Sequence, residues 1–182
     1  MAFKVKLENR RLVCCFIGLS LIMGMGGGCG SDAKSDATTY KACELLIRSE
    51  IESILGGAVD EPREMFKDNP KRGFWMSTCN YYSPDTSRSA SILIQSSPDA
   101  DPVQAFESHT ASLKRTLGDD YTMQTIDGIG TRAGWDGSVK TLTVFEGPRM
   151  LIVSISRPNE DQEIALQTAK RIAATVIPKL AK

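Results

Sequence analysis

Five Cys and one His are the side chains with the most chemical potential in this 182-residue sequence. A nucleophilic or acid–base site would need a base placed beside a nucleophile. His109 is the sole imidazole, and it falls between Phe106 and Leu113 at helical spacing. That places it on or beside a buried stripe, which suits a structural role better than a catalytic one. Its neighbour Ser108 projects elsewhere, because adjacent helix residues do not face each other. No Gly-x-Ser-x-Gly, Ser-x-x-Lys, His-Glu-x-x-His or phosphate-loop pattern occurs. Gly128-Ile129-Gly130 lacks the third Gly and following helix of a dinucleotide loop, so it reads as a tight turn. Asp119-Asp120, with Asp127 or Asp136, is too sparse in oxygens for a calcium loop and reads as solvated. The sequence therefore predicts no enzyme, no metal and no cofactor.

The N-terminal segment has a different chemistry. Lys4, Lys6, Arg10 and Arg11 precede an apolar run from Leu12 to Met25, followed by Gly26-Gly27-Gly28-Cys29. A basic start, a short apolar run and small residues form a secretory signal over 1–28. The run of 14 residues is short of the roughly 20 needed for a membrane span. Gly26-Gly27-Gly28-Cys29 resembles the lipobox of bacterial lipoproteins, with Gly26 where a large aliphatic is usual. The resemblance implies cleavage before Cys29, a diacylglycerol on its sulfur and acylation, as with palmitate, of the new amino group. It also implies a membrane partner reached through lipid alone. Gly30 rather than Asp after Cys29 is similar to the default outer-membrane sorting pattern of two-membrane bacteria, implying a periplasm-facing location there.

Export changes the reading of the remaining thiols. Cys14 and Cys15 leave with the signal and Cys29 takes lipid, so Cys43 and Cys79 remain. In an oxidising compartment such a pair reads as a disulfide ahead of a metal site or a catalytic thiol. It would close a 37-residue loop, worth about 4 kcal/mol on the chain-entropy model. Four of the 22 basic and one of the 22 acidic residues lie in 1–28, leaving 18 against 21. A mildly acidic body gives no reason to expect nucleic acid as a partner.

Residues 29–39 lack any apolar side chain larger than Ala after Cys29 and read as a flexible tether. A single domain then spans 40–182. Ser49 and Glu52 fit a capping box for a short helix near 49–55, stopped by Gly56-Gly57. The segment 57–72, with two Pro, reads as irregular. Phe74–Tyr82 and Arg88–Ser97 read as paired strands around Pro84-Asp85. Asp101-Pro102 opens a helix closed by Gly118, with Val103, Phe106, Thr110, Leu113 and Leu117 on one face. Tyr121–Ile126, Thr131–Trp135, Val139–Glu146 and Met150–Ile155 read as strands. A last helix runs from Asn159 to about Leu180, bent or ended by Pro178. The expected fold is α+β, an antiparallel sheet of five to six strands with three helices on one face.

The ordered set Ala42-Cys43-Glu44-Leu45-Leu46, Leu55-Gly56-Gly57, Cys79-Asn80-Tyr81 and Gly128-Ile129-Gly130 through Trp135 resembles a family of small bacterial lipoprotein domains of unknown function. It covers roughly 40–180. Arg48-Ser49 stands where that family usually has Thr, and Thr131 where Asp is common. The resemblance implies a Cys43–Cys79 bridge, an envelope location and a fold similar in outline to PsbP-like lipoproteins, and it implies no activity. Strand alternation sets Trp75 and Tyr81 on one side and Phe74, Met76 and Tyr82 on the other. With Trp135, Trp75, Tyr81 and Tyr82 are the candidate binding surface for a peptide, glycan or lipid. The expected function is a membrane-tethered, non-enzymatic domain that binds a protein or other partner. The alternative is a carrier of a small apolar ligand between sheet and helices, and the remote one a hydrolase.

Overall fold

The computed structural model describes residues 38–97 and 101–180. The expected signal over 1–28, Cys29 and most of the expected tether lie outside the described residues. Two short helices, α1 (Ala42–Leu45) and α2 (Arg48–Leu55), come first. The strands β1 (Arg63–Asn69), β2 (Phe74–Ser83) and β3 (Arg88–Ser96) follow. Helix α3 (Pro102–Leu117) leads to β4 (Gln124–Ile126), β5 (Arg132–Asp136), β6 (Thr141–Glu146) and β7 (Arg149–Ser156). The long helix α4 (Gln162–Leu180) closes the chain and continues through Pro178.

The strands form one antiparallel sheet in the order β1-β2-β3-β7-β6-β5-β4. The α+β class stands, with seven strands among the described residues rather than five to six. The additional strand is β1, which occupies the segment expected to be irregular. All seven of its residues are exposed, so burial imposes no period-two apolar pattern that a sequence could display. The strand expected over Tyr121–Ile126 shortens to Gln124–Ile126.

One face of the sheet carries the core. Ile92 and Ile94 of β3, Leu142 and Val144 of β6, and Leu151 and Val153 of β7 pack under Leu46, Ile51, Ile172 and Val176 of the helical layer. Helices α1, α2 and α4 cover this face. The expectation that all helices share a face fails for α3, which packs on the opposite face against β5 and β6. There Ala105 and Phe106 meet Phe145, Met150 and Ile152 in a second, smaller cluster. Gly134 makes the approach possible: an added Cβ would stand 2.0 Å from Met123 Sδ and 2.9 Å from Phe106 Cε2. The α3 stripe is shallower than its periodicity implies: Val103, Phe106, Thr110 and Leu113 are half-buried, Leu117 is exposed, and the helix's one buried residue is Ala105 beside the stripe.

The caps follow local chemistry. Asp101 accepts hydrogen bonds from the N–H groups of Val103 and Gln104, with Pro102 in the first turn. Helix α2 differs from the expected Ser49–Glu52 box. Its first turn is closed by Glu50, whose carboxylate accepts from Ile47 N–H at 3.0 Å. Glu52 instead accepts from Arg48 Nε at 3.0 Å and from Val59 N–H at 3.1 Å. Gly56 ends the helix in the left-handed region, φ 78°.

Cys43 in α1 and Cys79 in β2 are joined by a disulfide, with Cα atoms 5.1 Å apart. The bridge fastens α1 to the sheet. Ala42 N–H donates to Ser77 Oγ beside it, at 2.9 Å. At the other end of the chain Lys179 Nζ donates to Leu45 O at 2.8 Å and pairs with Glu50. The first and last helices are thereby held together.

Candidate functional site

The four aromatics singled out from the sequence separate in the structure. Trp75, Tyr81 and Trp135 are buried on the helix-covered face, and Tyr82 is 48% exposed. The odd-numbered positions of β2 point under α1 and α2, so Trp75 and Tyr81 serve the core and not a surface. The Trp75 ring packs 6.0 Å from that of Tyr40. Tyr81 Oη donates to Leu46 O at 2.7 Å. Burial, aided by the carboxylates of Glu50 and Glu64, pushes the Tyr81 phenol well above its ordinary range. Trp135 is buried because β5 presents it to the main core. Trp75, Tyr81 and Trp135 therefore form no surface, and Tyr82 is the exposed member of the four.

Tyr82 does not stand alone. It projects from the face that α3 leaves uncovered, and the sheet register sets its neighbours. Tyr82 lies opposite Ser89, and Ser89 opposite Ser156. One step along, Arg63 lies opposite Asn80, Asn80 opposite Ser91, and Ser91 opposite Ser154. These residues line a half-open groove of about 450 Å³, with Asp60 and Glu61 on its rim. The groove exists because the floor is Ser while larger side chains, Tyr82 and Arg63, flank it. Asp60 N–H donates to Tyr82 O at 2.8 Å, which ties the rim to β2. Ser154 Oγ lies 3.0 Å from Thr141 Oγ1. Asn80 Nδ2 donates to Arg63 O at 3.5 Å.

A reading of the sequence missed Arg63, Asn80, Ser89, Ser91, Ser154 and Ser156. The signal was present in part. Ser89-Ala90-Ser91-Ile92 and Val153-Ser154-Ile155-Ser156 alternate polar and apolar residues, which marks one solvent-facing side of each strand. Nothing in the spacing says that the two rows become neighbours, because β3 and β7 are joined across 52 intervening residues.

Several polar groups outside the groove have structural roles. His109 stacks 5.8 Å from the Phe145 ring, and burial lowers its basicity. A second recess of about 430 Å³ is lined by Tyr121, Gln124, Asp136 and Gln162. Asp136 Oδ1 accepts from Ser138 N–H at 2.9 Å and from Ser138 Oγ at 2.6 Å. Burial alone would raise the Asp136 carboxyl; hydrogen bonding from Ser138, with Tyr121 alongside, holds it below its ordinary value. Burial first, then the Asp136 charge, pushes the Tyr121 phenol up to about 12. Arg88 and Glu160 form a buried ion pair. Arg88 Nη1 also donates to Leu55 O at 3.2 Å, and Lys140 Nζ to Glu160 O at 2.7 Å. This network clasps α2, the β3 start and the loop before α4. Among the described residues no group of three His, Cys, Asp or Glu side chains is placed to hold a metal ion.

No family model matches the chain, and no curated protein matches it. Among solved structures it is similar to the extracellular domain of PknH from Mycobacterium tuberculosis. The identity is 13%, the TM-score 0.48, and the match covers 77% of this chain and 94% of that one. At that level of similarity no residue role is transferred. Among the described residues no helix is long and apolar enough to cross a membrane.

Proposed function

We propose that this chain is a non-enzymatic envelope lipoprotein, tethered through Cys29, whose domain binds a partner in the groove beside Tyr82. The carrying observation is the half-covered sheet. Three helices seal one face, α3 covers part of the other, and the remainder is a shaped, polar recess. Sealing an interior sheet on one face only is a common antiparallel arrangement. A recess with an exposed aromatic at its edge is the less common feature, and concave sites with convergent polar groups are where ligands bind. The carrier reading has less support, since Leu46, Ile51, Ile92, Val153 and Ile172 fill the space between sheet and helices.

The start of the folded domain lies at the opposite end of the sheet from the groove. Tyr40, where the folded domain starts, stacks by Trp75 and under the Arg149 guanidinium, 4.8 Å from its ring. Its hydroxyl donates to Leu180 O at 3.1 Å. Trp75 and Arg149 begin β2 and β7, whereas Tyr82 and Ser156 lie near the ends of the same strands. Seven residues of strand separate the two ends, about 23 Å at the usual rise. The groove therefore opens at the end of the sheet remote from Tyr40.

The test uses full-length protein in intact cells with a benzophenone amino acid at Ser91, in the groove, or at Ile164, exposed on α4. Irradiation is expected to give a higher-mass adduct from position 91 and none of the same mass from 164. Absence of an adduct from 91, or the same adduct from both, would refute the groove as the site. Cys29→Ser tests the anchor separately, by loss of the protein from the membrane fraction. Retention in that fraction with normal signal removal would overturn it.

A further inference from the structure

We infer that the ligand of the groove is a neutral oligosaccharide, an inference that rests on the groove being the binding site. Its floor is a lattice of four hydroxyls. Ser89 faces Ser156 and Ser91 faces Ser154 across the β3–β7 pair. Directly opposed residues of an antiparallel pair stand about 4.5–5.5 Å apart, and successive same-face residues about 6.7 Å. Each hydroxyl both donates and accepts, as sugar hydroxyls do. Ser154 Oγ shares its hydrogen bonding with Thr141 Oγ1; the other three hydroxyls can complement a polyhydroxylated ring as donors or acceptors.

The flank supplies what hydroxyls lack. Tyr82 is opposite Ser89 on β2 and half exposed, so its ring forms a wall against which the C–H face of a pyranose can lie. Asn80, opposite Ser91, adds an amide, and Arg63 beyond it adds donors in a planar fork.

Two other ligand classes fit less well. A peptide gains affinity by adding to an unpaired strand edge or by seating apolar anchors. The floor strands β2, β3 and β7 are interior, with both edges already paired, and the floor side chains are Ser. An anionic ligand would need a cationic site. The single Arg63 is offset here by Asp60 and Glu61, so the groove carries no net positive charge.

The experiment is ligand-observed saturation-transfer NMR and calorimetry on the full chain in detergent micelles. The probes are tetrasaccharides of N-acetylglucosamine, glucose (β-1,4 and α-1,4) and, as the anionic control, galacturonate. An extended Ser-rich decapeptide is the peptide control. Saturable binding of at least one neutral tetrasaccharide is expected, without binding of the galacturonate or peptide. Tyr82→Ala should weaken it several-fold to about tenfold. Ser91→Trp, which fills the floor, should abolish it, while circular dichroism shows both variants folded. Galacturonate or peptide binding in preference to every neutral sugar would overturn the inference. So would failure of all neutral probes, or sugar binding unchanged in both variants. Neutral-probe failure with an adduct still formed from position 91 in cells would refute the sugar alone. Failure of both would remove the groove as a site.

Discussion

Breaking the Cys43–Cys79 bridge should cost the domain about 4 kcal/mol. The two residues are 36 apart in sequence, and the chain-entropy relation for a loop of that size gives about 12.8 cal/mol/K, or about 4 kcal/mol at 25 °C. The bridge is placed to matter. Cys79 is fully buried in β2, and α1, which Cys43 joins to it, has four residues and no side-chain cap of its own. A helix that short has no independent stability, so α1 depends on the bridge, on Ala42 N–H bound to Ser77 Oγ and on Lys179. For a domain of this size 1 kcal/mol moves the midpoint by roughly 2–4 °C, so a fall of roughly 8–16 °C is expected. The measurement is thermal unfolding by circular dichroism of the oxidised chain, the reduced chain and Cys43→Ala/Cys79→Ala. The double variant also removes a buried sulfur from the core and should melt at or slightly below the reduced chain. Equal midpoints for oxidised and reduced protein would show that the loop is constrained by other contacts, and would refute the entropic argument.

Gly134→Ala puts a Cβ into the space held by Met123 and Phe106; it should cost about 1–3 kcal/mol by overpacking, seen as a lower denaturant midpoint. Tyr81→Phe leaves Leu46 O without its buried donor and should destabilise by about 1–3 kcal/mol, with near-unchanged secondary structure by circular dichroism. Asp101→Ala removes the cap of α3 and should cost about 1 kcal/mol, with hydrogen exchange rising in the first turn of that helix. Burial alone would raise the Glu50 carboxyl, but Lys179 and Ile47 N–H outweigh it and hold it below the ordinary carboxylate value. A depressed carboxylate adds stability above its unfolded pKa and loses it as pH falls through the folded one. Glu50→Gln should therefore lower the midpoint at pH 7 and narrow its gap from the parent below about pH 4, as titrated denaturation would show.

The sequence determined the elements whose patterns are local. The Asp101-Pro102 start of α3 and the Gly56 stop of α2 are written in residues adjacent to the turns they make. The hairpin of β6 and β7 around Gly147-Pro148 is equally local. The disulfide was legible because two Cys remained once the N-terminal segment was set aside. Strand β1 was not legible, since an edge strand whose residues are all exposed needs no apolar period. Only the tertiary structure decided which face α3 would cover. Gly134 and the Phe145 cluster admit it on the side away from α4, and no periodicity within α3 encodes that choice. The same holds for the groove. Tyr82, Asn80 and the two serine rows lie on β2, β3 and β7, and their assembly depends on β3 pairing with β7 rather than with its sequence neighbour β4. Side-chain alternation along a strand is a property of the local backbone, whereas strand order is settled by how the whole chain buries its apolar surface.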